Sequence, residues 1–203
     1  METKEFCKNW LEEMRGQVQP TVQAGSRKRP TVTVIMVGED EAAIKKKDTF
    51  LSVCKQLNVV GELYNIPVDA IENERDITNL LEDVESDGVY LVEPFPLDIN
   101  ECKWGIMERR QDINGLCKDG IFKSGYSTGV LKFAISQNIT PGIVKVQERD
   151  LATELWATGW TVNRWGDSPT VEEFLGIADG GLLEACGLAQ NLIKSWEMKY
   201  ENS

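Results

Sequence analysis

The sequence contains no histidine. That removes the one side chain whose ordinary pKa lies near neutrality, and with it the commonest protein ligand for zinc, copper and nickel. A serine or cysteine nucleophile activated by histidine is excluded, so any acid/base chemistry must come from Lys, Tyr, Asp, Glu or Cys. Cysteine is sparse as well. Cys7, Cys54, Cys102, Cys117 and Cys186 are odd in number and form no C-x-x-C pair, which points to reduced thiols rather than a disulfide framework or a thiolate metal cluster. Positive charge is short: 22 Lys and Arg face 33 Asp and Glu, a net charge of −11, so nucleic acid and anionic membranes are poor partners. No apolar run approaches the ~18 residues of a membrane span, and Met1-Glu2-Thr3-Lys4-Glu5 does not open a signal peptide. The expected setting is the cytoplasm.

What is present suits a globular α/β chain. The 203 residues are 41% hydrophobic with 17 glycines, enough for a sizeable core in one or two domains. Apolar residues at Phe6, Trp10, Leu11, Met14 and Val18 predict a helix that stops before Pro20. Thr31 to Val37 reads as a strand covered on both faces, followed by a helix over Glu41 to Leu57 with Ile44, Leu51, Cys54 and Leu57 towards the core. A strand at Glu62 to Ile66, a helix at Thr78 to Val84 and a strand at Asp87 to Val92 complete a βαβαβ pattern. Ligands bind outside the carboxyl ends of such strands, so the loops after Val37 and Val92 are candidate site loops. A short helical region to Met107 follows, then a helix capped by Ser127, two weaker βα units, and a last helix from Leu188 to Tyr200. Trp156, Trp160 and Trp165 suggest a subunit contact as well as core.

Several of these segments are also landmarks of one family. Val34-Ile35-Met36-Val37-Gly38, Asp40-Glu41-Ala42-Ala43, Glu62-Leu63-Tyr64-Asn65-Ile66-Pro67, Asp87-Gly88-Val89 running into Pro94-Phe95-Pro96, and Gln111-Asp112-Ile113-Asn114-Gly115 stand in matching order and spacing. In this the chain resembles the bifunctional methylenetetrahydrofolate dehydrogenase/cyclohydrolases, or FolD family. The resemblance implies an N-terminal domain joined to a Rossmann-like NAD(P) domain, with folate in the cleft between them. It also implies the divisions 1–125 for the folate-type domain, 126–187 for a truncated Rossmann-like lobe, and 188–203 for a C-terminal helix.

The departures from the family pattern carry the functional expectation. Where the family has a Tyr and, one turn later, a catalytic Lys, this chain has Lys46 and Phe50. Phenylalanine moves no proton, while Lys46 reaches part of the same space from the same helix face. Against that, Lys45-Lys46-Lys47 on an acidic protein is more simply read as a solvated helix face. The family's Gln before its Pro-x-Pro loop is replaced by Val92, followed by Glu93 and Pro94. Its pterin-contacting Asp falls on Asn114, which with Gly115 is also a favoured turn dipeptide. The family's glycine-bearing phosphate loop becomes Val146-Gln147-Glu148-Arg149-Asp150-Leu151, without glycine and with two acids, so loss of NAD(P) binding is expected.

The expected protein is therefore a degenerate relative that binds a folate-like small molecule or serves in an assembly. Its candidate ligand contacts are Phe50, Val92, Glu93, Pro94, Asn114 and Gly115, with Lys46 the candidate catalytic residue. The alternative is an active methenyltetrahydrofolate cyclohydrolase using Lys46, Tyr126 or Glu93 as substitute groups. A third reading is an interaction protein, a homo-oligomer or a subunit of a larger assembly, with no small ligand.

Overall fold

A run of β-branched and apolar residues, Thr31–Val37 (β1), forms the central strand of a parallel sheet in a computed structural model that describes residues 1–95, 108–117 and 120–201. Val60–Ile66 (β2) and Gly88–Leu91 (β3) flank it in the order β2-β1-β3, with Val34 in register with Leu63 and Tyr90. β1 and β3 are buried on both faces, which explains their unbroken apolar runs, whereas β2 is an exposed edge. Alternation along each strand sends Val34, Tyr90 and Val92 into the main core, while Ile35, Val89 and Leu91 face a smaller cluster on the opposite side. The short helical region expected before Met107, Pro96 and Cys102 lie outside the described residues.

Acidic residues open the helices around this sheet. Asp40 caps Glu41–Gln56 (α2) by accepting hydrogen bonds from the Ala42 and Ala43 amides at 2.9 and 3.0 Å. Asn73 and Asp76 form a capping box at the start of Glu74–Glu82 (α3), which covers the smaller cluster. The buried face of α2 is Ala43, Phe50, Val53 and Cys54, turned by one residue from the expected Ile44, Leu51 and Cys54. That rotation places Phe50 in the core and brings Lys46, one turn earlier, to the edge of the sheet.

Four further helix boundaries differ from expectation, the first being α3, which starts at Glu74 rather than Thr78 because Asn73 and Asp76 cap it there. The first helix, Thr3–Gln23 (α1), runs through Pro20, because proline removes only one N–H donor near a helix end and its carbonyl still accepts from the Ala24 amide at 3.1 Å. Ser124, not Ser127, caps Gly125–Ser136 (α4), accepting from the Ser127 amide at 3.0 Å. The final helix, Gly180–Glu201 (α7), begins eight residues before Leu188. Its glycines read as a loop, yet the Asp179 carboxylate holds its first turn by accepting from the Leu182 amide at 2.9 Å.

Those glycines are a packing requirement. A Cβ on Gly187 would stand 1.9 Å from the Gly125 carbonyl oxygen, and one on Gly129 would stand 2.3 Å from that of Leu183, so α4 and α7 touch backbone to backbone. The second sheet lies beyond α4: Ile143–Lys145 (β4) pairs in parallel with Thr161–Asn163 (β5), and Arg149–Ala157 (α5) and Val171–Leu175 (α6) follow the two strands. One continuous core joins all of it, from Trp10 and Met14 through Phe50 and Tyr90 to Leu151, Leu192 and Trp196. The expected divisions after 125 and 187 fall in the first turn of α4 and within α7. Among the described residues no helix is long and apolar enough to cross a membrane.

Candidate functional site

The carboxyl edge of the β2-β1-β3 sheet gathers side chains from three elements. Lys46 comes from α2, its Nζ 3.5 Å from Oε1 of Glu184 on α7, while Lys45 points to solvent and Lys47 pairs with Asp48. Tyr90 comes from β3, with its ring edge-on to Phe50 at 4.8 Å and 66°. Glu93 follows β3 in the chain and is exposed. Burial pushes the Glu184 carboxyl above the usual carboxylate range; Lys46 opposes that shift, and Glu93 and Glu148 reinforce it by repulsion. Burial, and then the charges of Glu184 and Glu93, likewise raise the Tyr90 phenol. Glu184 is thus the carboxyl that Lys46 pairs with, and Glu93 and Glu148 act on it as further negative charges.

Tyr90 is 2% exposed, and among the described residues its hydroxyl has no hydrogen-bond partner. The only sealed and unpartnered side-chain oxygen among them is Oε2 of Glu148, so the Tyr90 hydroxyl keeps contact with solvent. The phenol is therefore embedded in core along its ring and open at its tip.

The other candidates serve the scaffold. Phe50 and Val92 are completely buried. The Asn114 carboxamide accepts from the Leu91 amide at 2.8 Å and donates to the Leu91 carbonyl at 2.9 Å, extending β3 as a further strand would. An aspartate there could accept but not donate. Gly115 has φ +67, and a Cβ on it would lie within 2.6–2.8 Å of the backbone of Phe122, Lys123 and Ser124. Asn191 of α7 fixes the same crossing by donating to the Ile113 and Lys123 carbonyls at 3.0 and 2.9 Å. Pro94 is exposed beside Glu93, joined to it by a cis peptide. A larger hollow of about 630 Å³, lined in part by Thr33, Glu62, Tyr64, Asp83 and Ser86, lies on the opposite face of the sheet and at the other end of its strands. Its Thr33 and Ser86 hydroxyls already bond to one another at 2.8 Å, and none of the groups described above reaches it.

The carboxyl edge of the β4–β5 pair is built differently. Glu148 sits at the N-terminus of α5, and its Oε1 accepts hydrogen bonds from the Ser124 and Ser127 hydroxyls, each at 2.7 Å. Tyr126 donates its hydroxyl hydrogen to Glu172. Between them lies a cavity of about 350 Å³ whose lining includes Lys145, Gln147 and Thr170. Trp160 is buried edge-on to Phe174 at 5.2 Å, while Trp156 and Trp165 are 72% and 84% exposed.

A parallel sheet, a glycine-locked helix pair and a second parallel βα lobe form an architecture that solved structures share over nearly their whole length. The chain has the fold of the methylenetetrahydrofolate dehydrogenase/cyclohydrolases. It superposes on the 5,10-methylenetetrahydrofolate dehydrogenase of the silkworm Bombyx mori with a TM-score of 0.79 at 14% identity, covering 98% of each chain. For the bifunctional FolD of Campylobacter jejuni the TM-score is 0.78 at 16% identity, again with 98% of each chain covered. For the dehydrogenase-cyclohydrolase of Trypanosoma brucei, solved with NADP cofactor and an inhibitor, it is 0.80 at 10% identity, covering 98% of this chain and 97% of that one. No family model matches the sequence. At such identities the likeness is one of fold.

Within this FolD fold, sequence reasoning missed Tyr90 and Glu184. Tyr90 is a polar-tipped aromatic inside a buried strand, facing the helix position where the family pattern breaks at Phe50, and that coincidence was a usable signal. Glu184 lay in a stretch whose glycines hid the start of α7.

Proposed function

We propose that this protein binds a folate-like small molecule in the cleft at the carboxyl edge of β1 and β3 and carries out no nicotinamide-dependent step. The observation that carries the reading is Glu148. It is the residue just before the first turn of α5, the place where a dinucleotide fold offers backbone amides to a pyrophosphate, and its carboxylate accepts from two serine hydroxyls. Neither the glycine-free connection between β4 and α5 nor the carboxylates of Glu148 and Glu172 fit an approaching phosphate. Phe50, buried where the family pattern has a catalytic lysine, supports the same reading for the hydrolytic step.

Lys46, partly exposed one helical turn before Phe50, favours a second reading, a methenyl-group hydrolase that needs no dinucleotide. One experiment separates the two. The purified protein is titrated calorimetrically with 5-formyltetrahydrofolate, then assayed with methylenetetrahydrofolate plus NAD+ or NADP+ and with methenyltetrahydrofolate alone. Saturable binding with neither turnover is the expected result. Reduction of either nucleotide would overturn the proposal, and methenyl hydrolysis lost on Lys46→Ala would establish the second reading. Self-association through the exposed Trp156 and Trp165 belongs to the same proposal, and the solution mass of the titrated samples reads it.

A further inference from the structure

β2 is the open edge of the first sheet, and its residues from Val60 to Asn65 are all exposed. Its backbone is only half used. The Val60 amide donates to the Pro30 carbonyl at 2.9 Å and the Ile66 carbonyl accepts from the Gly38 amide at 2.8 Å, so both ends face β1, and the alternation of a parallel ladder turns Glu62 and Tyr64 the same way. Gly61, Leu63 and Asn65 therefore point their N–H and C=O groups outwards, and among the described residues no strand pairs with that side. Proteins usually keep a second strand off such an edge with a proline, a bulge or lysines. β2 has none of these: its pairing with β1 is unbroken over 7 residues, and Glu62 is its single charge. It presents instead Val60, Leu63 and Tyr64, which are 37%, 40% and 45% exposed and give the edge an apolar surface.

We infer that β2 is an interface to a second copy of this chain, the two strands pairing antiparallel about a two-fold axis at Leu63 and joining two three-stranded sheets into one. This goes beyond the folate-like reading and does not depend on it, and it uses a different surface from that of Trp156 and Trp165. The order of residues selects a second copy as the occupant, because a two-fold contact requires each residue to suit its own counterpart. Pairing about Leu63 sets Leu63 on Leu63 and Gly61 on Asn65, so the outward N–H and C=O groups of all three find partners. Between them Glu62 falls opposite Tyr64 on both sides of the axis, in the closer, non-hydrogen-bonded positions. The strand's one charge then meets an aromatic ring with a hydroxyl donor. An axis at Glu62 would instead set two carboxylates face to face. Leu63 is also the middle residue of β2, so this register pairs the whole strand, with Val60 opposite Ile66. Glu62 and Tyr64 line the hollow of about 630 Å³, and the pairing brings the two hollows side by side on one face of the joined sheet.

Leu63→Lys tests the interface, because Leu63 is exposed in the single chain and meets only its own copy in the pair, where two ammonium groups would oppose one another. Sedimentation equilibrium is run at about 0.15 M salt, which screens the net charge of −11 beyond roughly 8 Å. A Trp156→Ser/Trp165→Ser background removes any contact made by the exposed tryptophans. The expected result in that background is a dimer whose dissociation constant rises at least about tenfold when Leu63→Lys is added, with the thermal midpoint unchanged. A monomer in that background overturns the inference and leaves the edge to an extended segment of another protein. A dimer that Leu63→Lys leaves intact overturns it as well. Amide hydrogen exchange reads the register without any change to β2. On dilution in the same background, the Gly61, Leu63 and Asn65 amides should lose protection together, while those of Glu62 and Tyr64, bonded to β1, keep theirs. Exchange at Gly61, Leu63 and Asn65 that does not vary with protein concentration would refute the pairing. None of these outcomes bears on the titration with 5-formyltetrahydrofolate, so the two readings stand or fall separately.

Discussion

The two parallel sheets end in edges of the same topology but opposite accounting of polar groups. At the carboxyl edge of β1 and β3, the fold buries the ring of Tyr90 and leaves its hydroxyl unbonded, with Lys46 half-exposed beside it. At the edge of β4 and β5, Glu148 takes both serine hydroxyls and Glu172 takes Tyr126, so the protein's own side chains use the donors that a ligand would otherwise meet. Placement of an edge by topology does not make it a site. At the first edge the unspent group is a donor, the Tyr90 hydroxyl; at the second the serine and tyrosine donors are spent and what is left over is an acceptor, Oε2 of Glu148.

The contrast can be broken most severely where both edges share support. Gly187→Ala forces a methyl group into the Gly125 carbonyl and must part α4 from α7; a loss of roughly 3 kcal/mol in denaturant unfolding is expected, with binding of 5-formyltetrahydrofolate lost alongside. If stability falls by less than a third of that, the backbone contact is not what fixes the two edges relative to one another.

Asn114→Asp sharpens the first edge. The substituted carboxylate would face the Leu91 carbonyl where the amide now donates, so a loss of about 2–3 kcal/mol is expected near neutral pH. The charged form being the unfavourable one, the folded protein should hold that proton more tightly than the unfolded chain. The penalty then shrinks as pH falls into the carboxylate range, where a protonated Asp can donate. A penalty that does not vary between pH 4 and pH 7 would refute this account of Asn114.

Glu184→Gln is the gentlest probe. Burial holds the Glu184 carboxyl above its ordinary range, so the folded state binds its proton more tightly than the unfolded state and stability drains away as pH rises through that range. Glutamine does not titrate. Parent and variant should unfold alike at the acid end and diverge towards neutrality, with the variant the more stable by under about 1 kcal/mol because the partly exposed Lys46 pair is weak. A variant less stable than the parent at neutral pH would mean that the Lys46–Glu184 pair outweighs the burial of the carboxylate.

Much of the scaffold was legible in the sequence. The unbroken apolar runs of β1 and β3 announced a parallel sheet with both faces covered, and Asp40 and the Asn73–Asp76 box sat where helix caps belong. Order and spacing of the landmarks up to Gly115 led to the fold that the solved structures share. Less of the site was legible. Reading Asn114 as a ligand contact or a turn missed its third role, pairing with the Leu91 backbone, because a carboxamide that mimics a strand has no local signature. The face of α2 was one residue out, since Ile44 and Leu51 compete with Phe50 and Val53 for the inward side and only the packing of Phe50 on Tyr90 decides it. Pro20 and the glycines of α7 read as breaks because their local cost is plain in sequence, whereas the tertiary contacts that offset it are not.

The late position of α7 has a kinetic consequence. Trp10 donates its indole hydrogen to Gln190, Trp196 to the Lys28 carbonyl, and Asn191 ties down the crossing at Ile113 and Lys123. Those anchor points wait on a helix made after every other element described here. A ribosome delivering this chain would hold α1, α2 and α4 with their oily flanks uncovered until α7 emerges, a window in which a nascent-chain chaperone has most to protect.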